Sequence, residues 1–291
     1  MAVTIEPLGG LGNQLFVYAA GRSLSARLGT DLFADLRNFV GYDWHEYELD
    51  SFDTKIIKIE GGPGPTAHRP VSDHPTPHQS KTVREQVTER VFAEESSRFS
   101  VNFAEIVGDV RLRGYFQSWR YFDEIREELL SEINSIIAPS TWFADTAQKL
   151  SELNDWVCVH VRRGNYVGIP HLGLAGADYY ERSLKCLDAM IGERDLVVFS
   201  DDLDVGIATL GPARERIALA LGDPPGTRPI EVLNLMAMSS HIVMANSTFS
   251  WWAAWMGRDE GRVVICPRPW FDGERHDERD LIMPEWISIG R

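Results

Sequence analysis

The sequence predicts an α/β protein of two Rossmann-like domains, each built on a parallel sheet. Three observations lead to this prediction. Short apolar, β-branched runs alternate with segments of helical periodicity along most of the 291 residues. The first run, Val3–Ile5, leads through a glycine-rich turn into a helix, and several later runs end in polar residues. Strands that alternate with helices indicate parallel sheets with crossover connections.

The glycine-rich turn occupies residues 7–12. After it, apolar residues from Leu15 to Leu28 recur at helical spacing, and Gly29 ends the helix. A glycine turn that opens a helix can bring backbone N–H groups close to a ligand. The alternative is a tight turn without a ligand, with Asn13 as the helix N-cap. The dinucleotide fingerprint fails, because Leu15 occupies its third glycine position.

The rest of the first half leads to a domain boundary. The predicted elements are a strand at 31–35, a strand at 110–118 and a helix at 121–137. Pro139 ends that helix. We therefore expect domains of residues 1–138 and 139–291.

Residues 61–80 are rich in Pro, Gly and His, which predicts an irregular excursion. Metal binding by His68, His74 and His78 is conceivable. We do not predict a metal site, because no regular element fixes their geometry.

The second half repeats the alternation more clearly. Strands are predicted at 156–161, 196–199, 217–219, 241–245 and 263–265. Helices are predicted at 179–191, 203–210, 230–239 and 251–256. We expect Trp251, Trp252 and Trp255 to serve core packing. The pattern predicts a doubly wound parallel sheet.

Polar residues lie at the ends of three of these strands, and the carboxyl ends of parallel strands share one edge. They are His160, Arg162 and Arg163, then Asp201 and Asp202, then the turn 246–250. Guanidinium groups bind phosphate bidentately, so we expect a phosphate or pyrophosphate site at Arg162. Strand alternation places His160 beside Arg162 and turns Arg163 the other way. Structural salt bridges are the alternative.

The other two strand ends also have two interpretations. Asn246, Ser247 and Thr248 precede a helix, where N–H groups and hydroxyls can bind an anion or simply cap the helix. Asp201 or Asp202 could accept hydrogen bonds from a nucleobase or ribose, or could cap the next helix. We discount a metal-binding Asp-x-Asp pattern there, because the triplet enters a helix.

Composition and missing motifs argue against several classes of protein. The formal net charge of −14 argues against nucleic acid or an anionic membrane as the main partner. The three cysteines have no zinc or disulfide spacing. The sequence lacks a signal peptide pattern, an apolar span, a Gly-x-Ser-x-Gly elbow and a P-loop. We expect a soluble cytoplasmic protein, or one peripheral to the inner membrane through its acceptor.

Taken together, these segments resemble glycosyltransferase family 11, the α-1,2-fucosyltransferases. The matching segments are 9–16 with Tyr18 and Ala19, 114–118, 160–165, 200–202 and 246–255. The segment at 160–165 is similar to the His-x-Arg-Arg-x-Asp motif of α-1,2-, α-1,6- and protein O-fucosyltransferases.

This resemblance implies a GT-B fold, with two Rossmann-like domains facing across a cleft and GDP-fucose bound by the C-terminal one. It implies inverting transfer of L-fucose to the 2-hydroxyl of a galactoside in a glycan, with no metal or other cofactor. Arg162 would hold the β-phosphate and stabilise the departing GDP. The implied donor-binding residues are His160, Arg162, Arg163, Asp201, Asp202, Asn246, Ser247, Thr248, Phe249, Gly10, Gly12, Asn13 and Gln14.

Two positions depart from the family pattern. Asn165 replaces the motif's terminal acid, and Val17 replaces the more common Gln. An amide cannot take a proton, so the general base stays open among Asp35, His45 and Glu46. Three alternatives therefore remain: a related transferase with another donor or acceptor, a non-catalytic nucleotide-sugar binding protein, and an NAD-dependent oxidoreductase that uses Asp35.

Overall fold

The computed structural model describes residues 1–39, 45–61, 90–164, 173–257, 259–273 and 277–291. The chain forms two compact units, Met1–Ile133 and Asn134–Arg291. The division falls five residues before the predicted boundary. Nearly all of the predicted excursion, with its three histidines, and the motif residue Asn165 lie outside the described residues.

The N-terminal unit contains a five-stranded parallel sheet of order β3-β2-β1-β5-β4. Its strands are β1 (Ala2–Ile5), β2 (Asp31–Asp35), β3 (Ile56–Ile59), β4 (Arg90–Ala93) and β5 (Val110–Arg113). The predicted strands β1 and β2 are confirmed, and β5 is confirmed in place, but it ends at Arg113 rather than at the predicted residue 118, and Phe116 has a positive φ of 52°. β3 and β4 were not predicted.

Helix α1 (Leu11–Leu28) packs on this sheet and begins earlier than the sequence indicated. Gly10 is its N-cap, so the alternative of Asn13 as N-cap is wrong. Gly29 ends the helix in the left-handed conformation, as predicted. Gly21 lets α1 approach β1, because a Cβ there would lie 2.4 Å from Cγ2 of Ile5.

The helix predicted at 121–137 is wrong in extent. Short 3₁₀ turns precede a single helix, α2 (Arg126–Ile133). Phe122 has φ −147° and ψ 0°, and this non-helical backbone separates the turns. Buried aromatic packing around Phe122 and Tyr121 produced the apolar spacing that resembled a longer helix.

The C-terminal unit contains a six-stranded parallel sheet of order β11-β10-β9-β6-β7-β8. The strands are β6 (Val157–Val161), β7 (Leu196–Ser200), β8 (Ile217–Leu221), β9 (His241–Val243), β10 (Val264–Arg268) and β11 (Ile287–Gly290). Two α/β units with parallel sheets confirm the predicted fold class.

The described residues of this unit contain five α-helices. They are α3 (Thr141–Ser151), α4 (Ala177–Ile191), α5 (Leu203–Thr209), α6 (Pro229–Ala237) and α7 (Thr248–Met256). Helix α3 was not predicted. Trp251, Trp252 and Trp255 of α7 are fully buried and pack on one another, which confirms their core role.

The strand order places a topological switch point in each sheet. In the C-terminal sheet, β6 is first along the chain; β7 and β8 extend to one side of it and β9 to β11 to the other. In the N-terminal sheet, β1 has β2 and β3 on one side and β5 and β4 on the other. Ligands of open α/β sheets bind at the carboxyl ends of the strands at such points.

Candidate active site

The end of β6 carries the predicted phosphate-binding arginines. All five residues of β6 are buried, and the chain leaves the sheet at Arg162. The Arg162 side chain is 28% exposed, and its Nη1 lies 3.0 Å from Oδ2 of Asp201. The backbone N–H of Arg163 donates to Oδ1 of Asp201 at 2.8 Å. The buried Nε of Arg163 has no hydrogen-bond partner among the described residues.

His160 lies just inside this edge and is 5% exposed. Its ring centroid is 6.1 Å from that of Phe249, on α7. Burial, reinforced by the nearby Arg162 charge, lowers the pKa of His160 to about 3. The imidazole is therefore neutral at physiological pH. Its buried Nδ1 has no hydrogen-bond partner in the described ranges.

The two acids after β7 have different environments. Oδ1 of Asp202 accepts the backbone N–H of Val205 at 3.2 Å and caps α5, while the residue stays exposed. Asp204 is also exposed, in the first turn of that helix. Asp201 instead directs both carboxylate oxygens at the residues that follow β6. Of the two acids, Asp202 therefore caps α5 and Asp201 does not.

The polar side chains of the turn from β9 into α7 hydrogen-bond to neighbouring loops and to the start of α7. Asn246 is buried, and its Nδ2 donates to the carbonyls of Gly173 (3.3 Å) and Trp270 (3.1 Å). Ser247 is the N-cap of α7 and accepts the N–H of Phe249 at 3.3 Å. Asn246 thus links this turn to the loops at Gly173 and Trp270. Ser247 caps α7, and Thr248 is its first residue, so the N-terminus of α7 faces the carboxyl edge of the sheet.

Asp223 belongs to the same charge cluster and was missed from the sequence. It follows β8 directly, after Gly222. Its side chain is largely exposed, yet partial burial raises the pKa of its carboxyl; Arg162 opposes that shift and Asp201 adds to it. β8 extends two residues beyond the predicted strand at 217–219, which places Asp223 at its carboxyl end.

In the N-terminal unit, the glycine turn lies at the switch point between β1 and β5. Gly9 has φ +70°, and a Cβ there would lie 2.6 Å from Nδ2 of Asn13. Gly10, the N-cap of α1, has no side chain with which to cap the first N–H groups of the helix. Gly12 is buried in the first turn of α1. The Nε2 of Gln117, after β5, donates to Oδ1 of Asn13 at 3.0 Å.

Gln14 is fully buried and all its side-chain bonds reach backbone atoms. Its Nε2 donates to the carbonyls of Gly9 (2.7 Å) and Glu46 (2.8 Å), and its Oε1 accepts the N–H of Glu48 (2.9 Å). These bonds fasten the segment 45–48 onto the glycine turn. The role of Gln14 is therefore structural in this unit.

The candidate bases differ sharply. Asp35 is fully buried, and burial opposes its ionisation, but hydrogen bonds from Arg37 and Arg111 outweigh burial and lower its pKa. A carboxylate so paired is a poor base and has no free oxygen for a ribose. The His45 ring lies beside Gly10, 3.4 Å from the position a Cβ would take. Glu46 is exposed.

Glu94 was not foreseen. It follows β4, and its Oε2 accepts the N–H of Tyr115 at 2.8 Å. Burial raises its pKa to about 7, although N–H groups of Tyr115 and Phe116 oppose the shift. Its Oε1 is buried without a hydrogen-bond partner among the described residues. Only a glycine fits at position 114, since a Cβ there would lie 2.4 Å from Cβ of Glu94.

Residues 104–290, which include β5, the strand ends at β6 and β7 and the whole of α7, match the profile of glycosyl transferase family 11. The chain belongs to this family. The protein is therefore a glycosyltransferase, and the family resemblance seen in the motifs is confirmed.

Members of family 11 and related enzymes are similar to this chain over most of its length. An α-1,2-colitosyltransferase of Escherichia coli is 29% identical over 99% of each chain. The O-antigen biosynthesis glycosyltransferase WbnK of Escherichia coli is 25% identical over 97% of this chain and 98% of its own. The galactoside α-(1,2)-fucosyltransferase 2 of Sus scrofa is 25% identical over 98% of this chain and 79% of its own.

Solved structures similar to this family 11 chain include the following two. An Arabidopsis thaliana FUT1 variant in complex with GDP has a TM-score of 0.49 at 12% identity, over 92% of this chain and 71% of that one. The fucosyltransferase NodZ from Bradyrhizobium has a TM-score of 0.48 at 13% identity, over 87% and 92%.

Two features are absent from the described residues of this family 11 chain. Within the described ranges, no group of three or more His, Cys, Asp or Glu side chains is placed to hold a metal ion. Among the same residues, no helix combines the length and the apolar character needed to cross a membrane.

Proposed function

We propose that the protein transfers L-fucose from GDP-fucose to the 2-hydroxyl of a galactoside in a glycan, with inversion and without a metal. The observation that carries this proposal is the cluster at the β6–β9 switch point of a family 11 chain. There, the partly exposed guanidinium of Arg162 and the neutral imidazole of His160 lie at the edge where α7 begins.

Arg162 is the proposed ligand of the β-phosphate. Breaking the bond between the fucose anomeric carbon and the diphosphate oxygen leaves the electron pair on GDP. A fixed guanidinium near that oxygen stabilises the developing charge more than the ground state, which lowers the barrier. The start of α7 adds N–H groups and a favourable helix dipole for the same anion. These groups supply positive potential without a metal ion.

His160 is proposed to hold the nucleotide as a hydrogen-bonding group. Since its pKa is depressed to about 3, it adds no charge to the site and does not titrate during catalysis at neutral pH. A neutral imidazole presents one donor and one acceptor. This suits hydroxyl or phosphate oxygens of a nucleotide better than it suits proton transfer.

A second donor deserves testing because of one relative. The E. coli α-1,2-colitosyltransferase matches 99% of this chain at 29% identity. Colitose is the 3-deoxy analogue of fucose, so a diphosphate site of the same kind could serve either sugar. A site built to bond the fucose 3-hydroxyl would reject the deoxy sugar strongly, whereas one without such a bond would discriminate weakly.

The test is a transfer assay with purified protein in EDTA, using GDP-fucose, GDP-colitose and GDP-mannose against a panel of β-galactosides. We expect transfer from GDP-fucose, with product analysis showing an α-1,2 linkage. Preference for GDP-colitose would support the second donor. GDP binding without transfer or donor hydrolysis would favour a non-catalytic protein, and Asn165→Asp would then show whether the missing motif acid is the cause. Failure to bind any GDP-sugar would contradict the proposal.

A further inference from the structure

Asp201 is packed against the turn that follows β6. Its Oδ1 accepts the backbone N–H of Arg163 at 2.8 Å, and its Oδ2 lies 3.0 Å from Nη1 of Arg162. Gly164 has φ +22°, and a Cβ there would lie 2.4 Å from Oδ2 of Asp201. A larger residue would therefore displace the carboxylate, so the turn is shaped around Asp201.

The pair between Arg162 and Asp201 has the geometry of a displaceable contact. Oδ2 of Asp201 accepts no hydrogen bond from the residues that the structure describes, despite its 3.0 Å separation from the guanidinium. The charges attract, but no N–H is aligned with the oxygen. The Arg162 side chain is 28% exposed and the Asp201 side chain 14%, and Oδ2 of Asp201 is itself buried, so a ligand can reach the guanidinium more readily than the carboxylate. A diphosphate, with more charge and more acceptor oxygens, can compete for the same guanidinium.

We propose that Asp201 is a positioning residue and an internal competitor for Arg162. In the empty protein it holds the guanidinium at the site, and once a nucleoside diphosphate is bound, its negative charge opposes the diphosphate. The opposition limits affinity, so that the nucleoside diphosphate product can leave. This role replaces the expected contact of Asp201 with guanine or ribose. It rests on the proposed function, because it takes the diphosphate as the ligand of Arg162.

Asp201→Asn is the direct test. Asparagine keeps the shape and the acceptor for the Arg163 N–H but removes the charge. We expect GDP to bind roughly tenfold more tightly, the size of effect that one nearby like charge has at a partly exposed site. Guanosine, which lacks phosphate, should bind with unchanged affinity. In turnover assays the same variant should show stronger product inhibition by GDP.

The matched control is Asp204→Asn. It makes the same charge change on an exposed side chain in the first turn of α5. We expect Asp204→Asn to change the affinities for GDP and for guanosine by no more than about twofold. Asp223→Asn supplies a second variant if Asp201→Asn does not fold, because the Asp223 carboxyl also interacts with Arg162. It should tighten GDP binding in the same direction.

Isothermal titration calorimetry separates the outcomes. Tighter GDP binding with unchanged guanosine binding supports the proposal. A parallel loss of GDP and guanosine affinity would make Asp201 a base or ribose ligand and contradict it, as would unchanged GDP affinity in both Asp201→Asn and Asp223→Asn. Wild-type protein that binds neither GDP nor GDP-fucose would instead contradict the proposed function on which this inference depends.

Discussion

Tyr180 donates a hydrogen bond from its hydroxyl to the carbonyl oxygen of His160 at 2.9 Å. The preceding residue, Tyr179, donates to the carbonyl of Met244 at 2.7 Å, one residue beyond β9. The two rings pack edge to face, with centroids 4.9 Å apart. Both residues are fully buried, and burial raises both pKa values. Two adjacent protonated phenols of α4 thus fix the strand ends on both sides of the switch point.

Tyr180→Phe should lower the free energy of unfolding by about 1–2 kcal/mol, because it removes a buried hydrogen bond and leaves a carbonyl poorly satisfied. Tyr179→Phe is the matched control, with a similar loss of stability at the neighbouring strand end. GDP affinity should fall more in Tyr180→Phe, since that bond holds the residue beside Arg162. Urea unfolding and GDP calorimetry measure both effects. Equal GDP affinity in the two variants would argue against this link.

Arg162→Ala should reduce kcat for transfer at least about a hundredfold while the protein remains folded, because the guanidinium acts on charge that develops in the transition state. Arg279→Ala is the control. That side chain is 63% exposed and pairs locally with Asp277, so we expect ordinary kinetics. Steady-state assays with GDP-fucose and circular dichroism provide the measurements. Kinetics of Arg162→Ala that match the wild type would remove Arg162 from the mechanism.

Local sequence patterns were sufficient for the strands that flank the candidate site. β6 and β7 are apolar runs buried on both faces, which is the pattern of central parallel strands. Three of the four edge strands, β3, β4 and β11, were missed, and in β4 and β11 the composition lacks that signal. In β4, Val91 is exposed and Arg90 is charged, and in β11 two half-buried isoleucines alternate with the exposed Ser288 and Gly290.

The roles of individual site residues depend on contacts that the sequence does not encode locally. Gln14 was expected to face the donor, but it bonds to Glu46, 32 residues away. Asp201 and Asp202 are adjacent carboxylates with the same local pattern, yet one caps α5 and the other contacts the turn after β6. Only the parallel register of β6 and β7, which pairs Val161 with Ser200, sets that difference.

Gln14→Ala should destabilise the N-terminal unit by about 3 kcal/mol, since it removes three hydrogen bonds of a fully buried side chain at roughly 1 kcal/mol each. Gln117→Ala, which loses one partly buried bond to Asn13, should cost about 1 kcal/mol or less. Urea midpoints compare the two. Gln14→Glu should be as damaging as Gln14→Ala, because a carboxylate oxygen would face the carbonyls of Gly9 and Glu46. A neutral effect of Gln14→Glu would contradict the structural role.

Transfer activity should be the same in EDTA as with added Mg²⁺ or Mn²⁺, because the proposed leaving-group stabilisation comes from Arg162 and the start of α7. The assay uses metal-stripped protein, with and without each ion, at saturating GDP-fucose. Arg162→Ala provides a useful comparison, since added metal should not restore its turnover. Activity lost in EDTA and recovered with a divalent ion would contradict the metal-free mechanism.

Glu94 predicts a pH dependence of stability. Its folded pKa of about 7 lies above the value near 4.5 of an exposed glutamate, so between these values the folded protein holds a proton that the unfolded chain has lost. The stabilisation is complete below about pH 4.5 and is lost as the pH rises through about 7. At 1.36 kcal/mol for each pKa unit, the rise from 4.5 to about 7 corresponds to a loss of the order of 3 kcal/mol.

Glu94→Gln should therefore unfold at a urea midpoint that changes less between pH 5 and pH 8 than the wild-type midpoint. Glu48 contributes in the same direction, because burial and the Glu46 charge raise its pKa to about 7 as well. Glu48→Gln is thus a parallel variant, and the double variant should lose most of the slope. Urea titrations at four pH values measure the slopes. A slope in Glu94→Gln as steep as in the wild type would show that Glu94 is not the titrating group.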